Sequence, residues 1–249
     1  MRSKNRVTYE NRMLHYKADL ELIDILCSIN LSSGLSPADN SLLFLHLDIE
    51  KHKVLKKRKI SKHNRDMALY HLRQTVYGAF IKSIYEELYS FLKATIYETV
   101  ENLKADPDRL IGDHKITLSA KEILKLGDIS AVNAKIIDTL FQTLEAEQST
   151  LKLIEKIRNK LGLEFDEELI TNALPYLELR HKLVHANGKL DADFVAKYPE
   201  IPKTFRGYAD LKLETMHAAQ LTIGKLVEAI DENALSKRFV RPNTPTTST

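Results

Sequence analysis

Between Met67 and about Val100 the chain carries no proline and one glycine, Gly78. Over the same span Leu69, Leu72, Val76, Phe80, Ile84, Leu88 and Phe91 recur at three- and four-residue steps. That rhythm puts the apolar side chains on one stripe of an α-helix. At 1.5 Å per residue the helix is roughly 50 Å long, enough to act as a spine for the other elements. Tyr70, Tyr77, Tyr85, Tyr89 and Tyr97 are scattered along it. Their amphipathic rings are read as partly buried packing in preference to a base-stacking surface.

Residues 13–31 read as a helix, with Leu14, Leu20, Ile23, Leu26 and Cys27 facing inward. Ser32 to Pro37 breaks it, and Ser36 with Pro37 starts a second helix through Leu42, Leu45 and Ile49. After Asp106-Pro107-Asp108 a short helix spans Ser119 to Leu126, with Ser119 and Glu122 spaced as a capping box. Ser130 opens a long helix through Val132, Ile136, Leu140, Leu144, Leu151, Ile154 and Ile157, with a weak point at Gln148-Ser149-Thr150. Asp166, Glu167 and Glu168 open another, in which Pro175 marks either a kink or a fresh start. Residues 189–209 form a loop with two prolines, and Asp210 to Leu235 is a last amphipathic helix through Leu213, Met216, Leu221, Val227 and Ile230. No stretch alternates with period two and no glycine-rich phosphate loop is present. The expected class is all-α, an antiparallel bundle of long helices.

With 249 residues, 43% of them hydrophobic and 29% charged, the chain suits a globular protein with a substantial core. The single cysteine, Cys27, excludes an internal disulfide framework and a multi-cysteine zinc site. It is read as a small buried hydrophobe in a reducing cytoplasm. The basic Met1 to Arg6 leads into no apolar core, and no apolar run reaches the roughly 20 residues of a membrane span, so neither a signal peptide nor a membrane partner is expected. The net charge is only +3, but Lys51, Lys53, Lys56, Lys57, Arg58, Lys59, Lys62 and Arg65 follow one another with no acid between them. Lys53, Lys56, Lys57, Arg58, Lys59 and Lys62 are candidate contacts to a phosphate backbone, and the plainer reading is a solvated face.

The stretch from Tyr176 to Gly188 reads as the last turns of a helix, with Leu177, Leu183 and Val184 inward and Asn187-Gly188 as its stop signal. Arg180, His181 and His185 therefore gather at a helix end. Arginine and histidine also stand five apart at Arg58/His63 and Arg109/His114, but the first lies in the lysine run and the second among turn residues. Only Arg180 lies on an apolar-periodic segment with a helix stop after its histidine.

That string resembles the HEPN superfamily: arginine, a polar residue, three more residues and a histidine, then Asn187-Gly188, Asp191, and the stretch from Phe194 to Pro199. The resemblance covers about residues 67–235. It leaves 1–66 as an N-terminal helical extension carrying the basic stretch 51–65, and 236–249 as a disordered tail. It implies a compact helical domain, and in many members a metal-independent RNA endonuclease acting as a homodimer, with the paired motifs in a cleft between protomers. Such proteins serve as toxins or antiviral effectors, which implies an antitoxin or other regulatory partner.

On that reading His185 transfers protons and Arg180 anchors the phosphate, since imidazole titrates near neutral pH and the guanidinium fork keeps its charge. The implied product is a 2′,3′-cyclic phosphate. His181 supports the pair where asparagine or aspartate is commoner in the family, and Asn187, Lys182 and Glu178 are weaker supporting candidates. Five residues turn a helix by about 500°, so Arg180 and His185 stand roughly 140° apart unless two helix ends meet. The bland alternatives are an Arg180 ion pair with Glu178 or another acid and His185 bonded to the helix's free carbonyls. His181 and His185 have a spacing that serves zinc, but no third ligand is evident, so no metal or cofactor is assigned. A non-catalytic HEPN module binding RNA, a nucleotide or a protein is the functional alternative.

Overall fold

The computed structural model describes residues 1–32, 51, 62–102, 105–112, 114–145 and 150–243. Among them are nine helices: α1 (Lys4–Ser32), α2 (Lys62–Glu101), α3 (Pro107–Ile111), α4 (Ala120–Leu126), α5 (Ile129–Glu145), α6 (Thr150–Leu161), α7 (Glu167–His185), α8 (Ala192–Lys197) and α9 (Leu213–Ser236). The only β pairings among the described residues are isolated bridges, so the chain is all-α. The helix expected between Ser36 and Ile49 lies outside the described residues.

At 40 residues, α2 is longer than its sequence stripe. Leu69, Phe80, Ile84, Leu88 and Phe91 are buried as the rhythm requires, but Leu72 is exposed. Tyr77, Ile81, Leu92 and Ile96 are buried as well, so the helix is apolar on more than one side. The surroundings explain this: α1, α5, α7 and α9 all pack against α2. Tyr77 is fully enclosed, Tyr85 is buried with a small exposed remainder, and Tyr89 and Tyr97 pack at the edge of the core.

α1 starts nine residues earlier than its sequence pattern and runs antiparallel to α2, with Asn5 bonded to Glu98 and Arg12 to Glu87. Its inward stripe is Tyr9, Met13, Leu20 and Cys27; Leu14 and Leu26, expected inside, face outward. Those inward residues, Cys27 apart, share one core with the rest of the chain, so α1 is not set apart at residue 66. Cys27 is buried with its thiol directed at the Leu69 carbonyl, and desolvation pushes the thiol above its ordinary range.

Ser119 and Glu122 form the expected capping box on α4. α5 ends at Glu145 and α6 begins at Thr150, and residues 148 and 149 of the expected weak point lie outside the described residues. α7 passes through Pro175 without a restart. On α9, Met216, Val227 and Ile230 are buried, whereas Leu221 faces out. Residues 237–243 are not free tail: Val240 is buried, the Arg241 amide donates to Glu98 (2.6 Å), and the Asn243 amide donates to the Arg2 carbonyl (2.9 Å). The start of α1 is held at the same place, with the Ser3 amide on Asp231 (3.1 Å) and Arg6 on Glu10 and Glu228.

Leu20 is 1% exposed and Leu22 55% exposed on the same helix. Leu20→Ala is expected to cost about 2–5 kcal/mol in urea denaturation, and Leu22→Ala no more than about 0.5 kcal/mol. Equal effects from the two would show that α1 is not docked on this face.

Candidate functional site

The end of α7 lies against the first half of α2, where Gly78 sits opposite Leu183 and Leu211. Leu177 and Leu179 anchor the helix in the core and Leu183 packs at its edge, while Val184, expected inside, is exposed. The helix stops as its sequence requires. Asn187 (φ 51°) and Gly188 (φ 79°) are both left-handed, and the amides of Ala186 (3.0 Å) and Gly188 (2.9 Å) donate to the Lys182 carbonyl. Two successive left-handed residues reverse the chain, a conformation asparagine tolerates and glycine adopts freely.

Arg180 turns onto α2. Its guanidinium carbon lies 4.6 Å from the centre of the Tyr85 ring, and its Nη2 is 3.4 Å from a Glu86 carboxylate oxygen. The second contact is long for a charge-assisted hydrogen bond, so the ring face does more than the acid to position the fork. Nε is buried and makes no hydrogen bond among the described residues. Of the acids expected to pair with Arg180, Glu178 or another, the partner is another, Glu86, and Glu178 itself lies half-buried along α7.

His181 and His185 come together as their spacing predicts. Their ring centres are 4.5 Å apart at an interplanar angle of 43°, and both rings face solvent. Neither makes a hydrogen bond or ion pair among the described residues, and the helix-end carbonyl is satisfied by backbone amides instead of His185. No group of three potential metal ligands occurs among the described residues. In a single copy, therefore, the two imidazoles share a face and Arg180 leans away toward α2.

Lys182 is committed elsewhere. It forms an ion pair with Asp191 and lies over the Phe194 ring, 5.7 Å from its centre. Asp191 also caps α8 by accepting from the Phe194 amide (2.9 Å). The Lys182 ammonium, and after it that amide, holds the Asp191 carboxyl below the usual carboxylate range. This ties α7 to the short helix that follows it. Asn187 serves the turn through its backbone, with its side chain exposed. Lys53, Lys56, Lys57, Arg58 and Lys59 lie outside the described residues, and Lys62 opens α2.

Two site residues escaped the sequence reading. Tyr85 and Glu86 stand 94 or more positions before Arg180, and no local pattern ties them to it. The helix α8 falls within residues 189–209, expected from the sequence to form a loop; the signal that could have found it is Asp191, three residues before Phe194 in the spacing of an N-cap.

The chain matches no family model, no curated protein and no solved structure.

The Lys182–Asp191 pair has a defined pH signature. A carboxyl held low contributes stability above its ordinary range and loses it as pH falls through its folded value. Lys182→Met is expected to return the Asp191 titration upward to the ordinary range, followed by carboxyl-carbon NMR. An unchanged Asp191 curve would mean that the pair does not form in solution.

Proposed function

We propose that this chain is a metal-independent endoribonuclease of the HEPN type, which cleaves RNA by attack of a 2′-hydroxyl on the adjacent phosphate. The observation that carries the reading is the His181–His185 pair, exposed and without a hydrogen bond among the described residues, on the same helix end that carries Arg180. His185 removes the 2′-hydroxyl proton, and the new O–P bond forms as the 5′-oxygen leaves. The leaving oxygen takes a proton from a second imidazole, for which His181 is the neighbour at hand. Arg180 stabilises the charge that builds on the phosphate oxygens; its ring contact sets the fork in place before substrate arrives. The products are a 2′,3′-cyclic phosphate and a free 5′-hydroxyl.

Because Arg180 leans toward α2 and His185 toward solvent, the reading calls for a homodimer in which each scissile phosphate meets residues of both copies. The lysine run between Lys51 and Arg65 supplies further phosphate contacts. Toxin or antiviral activity restrained by a regulatory partner, in the cytoplasm, completes the proposal. The alternative, a non-catalytic module of the same fold, draws on one observation: Glu86 already stands beside Arg180 and engages it internally.

RNA incubated with excess EDTA separates the two. The intact chain is expected to leave cyclic-phosphate ends. His185→Ala and Arg180→Ala are each expected to slow cleavage by about 100-fold or more, with helical circular dichroism retained. RNA retention without cleavage by the intact chain would select the non-catalytic module.

A further inference from the structure

Beside the end of α7 the chain builds a small, tightly pinned turn. The Leu190 amide donates to the Gly207 carbonyl and the Ala209 amide to the Gly188 carbonyl, both at 2.9 Å. Within the turn, the Thr204 amide donates to the Tyr208 carbonyl (2.7 Å), the Gly207 amide to the Thr204 carbonyl (2.9 Å), and the Tyr208 amide to the Thr204 hydroxyl (3.1 Å). Gly207 takes the left-handed φ of 79° that the reversal needs. At the tip Phe205 is 93% exposed, and Tyr208 nearby is 40% exposed.

An aromatic ring on a loose loop is unremarkable; on a turn fixed by this many backbone hydrogen bonds it is held out to solvent. Its setting is cationic. Arg206 lies 5.2 Å from the centre of the Phe205 ring, and exposed Lys189 and Lys203 flank the turn. None of these three cations forms an ion pair among the described residues, and no acid occurs from Ile201 to Ala209. Exposed π-faces with unneutralised positive charge at the edges match one ligand chemistry, unstacked bases on a phosphate backbone. A duplex hides its base faces and offers the ring nothing to stack on.

We propose that the 203–208 turn is a stacking platform for single-stranded RNA, with a base on Phe205, a neighbouring base on Tyr208, and flanking phosphates on Lys189, Lys203 and Arg206. The platform names the strandedness of the substrate for the ribonuclease described above, and it rests on that reading only in the choice of RNA over other single strands.

The test is fluorescence anisotropy in EDTA with a labelled single-stranded RNA of about 12 nucleotides, using the full chain carrying His185→Ala so that the probe stays intact. Phe205→Ala is expected to weaken binding by about 5- to 150-fold, the equivalent of the roughly 1–3 kcal/mol that one base–aromatic stack contributes. Phe205→Trp retains affinity and Phe205→Leu does not, while a duplex of the same length binds all of them alike. Single-strand affinity unchanged in Phe205→Ala, full retention in Phe205→Leu, or no binding of single strands at all would overturn the platform. Phe205-dependent binding by a chain that never cleaves RNA leaves the platform standing and removes the nuclease. Cleavage that continues with Phe205→Ala altering neither affinity nor KM does the reverse.

Discussion

The enclosure of α2 governs the rest of the molecule. A helix buried against α1, α5, α7 and α9 has no single solvent face, and Tyr77, Ile81, Leu92 and Ile96 add a second apolar side to the stripe that includes Phe80, Ile84, Leu88 and Phe91. Burying side chains of this size is the main favourable term available to a chain without disulfides. It also fixes geometry. Because α7 lies directly on α2, the guanidinium of Arg180 meets Tyr85 and Glu86 and is oriented by a helix remote in sequence.

Chemistry then concentrates where α7 stops. The left-handed pair Asn187 and Gly188 ends the helix abruptly, leaves His181 and His185 on the open side, and turns the chain toward two small structures. One is α8, tied back by Lys182 and Asp191; the other is the 203–208 turn, bonded to the carbonyl of Gly188 and the amide of Leu190. A short stretch of sequence thus sets the helix end, the imidazole pair and the neighbouring aromatic tip in one region. Changes at Gly188 would disturb all three, because the turn holds this position in a left-handed conformation in which a Cβ is strained.

Periodicity made the helices legible but did not say which apolar stripe faces inward. On α1 the residues Leu14, Leu22, Ile25 and Leu26 form an outward set beside the inward set of Tyr9, Met13, Leu20 and Cys27, and a period alone cannot rank the two. The same ambiguity put Leu72, Val184 and Leu221 inside. Caps and stops, whose signals are local, were readable: Ser119 with Glu122, and Asn187 with Gly188. The imidazole pair followed from a four-residue spacing. Partners brought by tertiary packing did not, which is why Tyr85 and Glu86 were missed, as was the return of residues 237–243 to the start of α1.

The enclosed thiol of Cys27 has a practical consequence. With its thiol buried and pushed above the ordinary range by desolvation, and no second cysteine in the chain, it is expected to react slowly with maleimides while the fold is intact. A spin label or fluorophore can therefore be addressed to one surface position by a single added cysteine, with the native residue left in place. Whether two copies pair can then be read from label-to-label distances without rebuilding the interior.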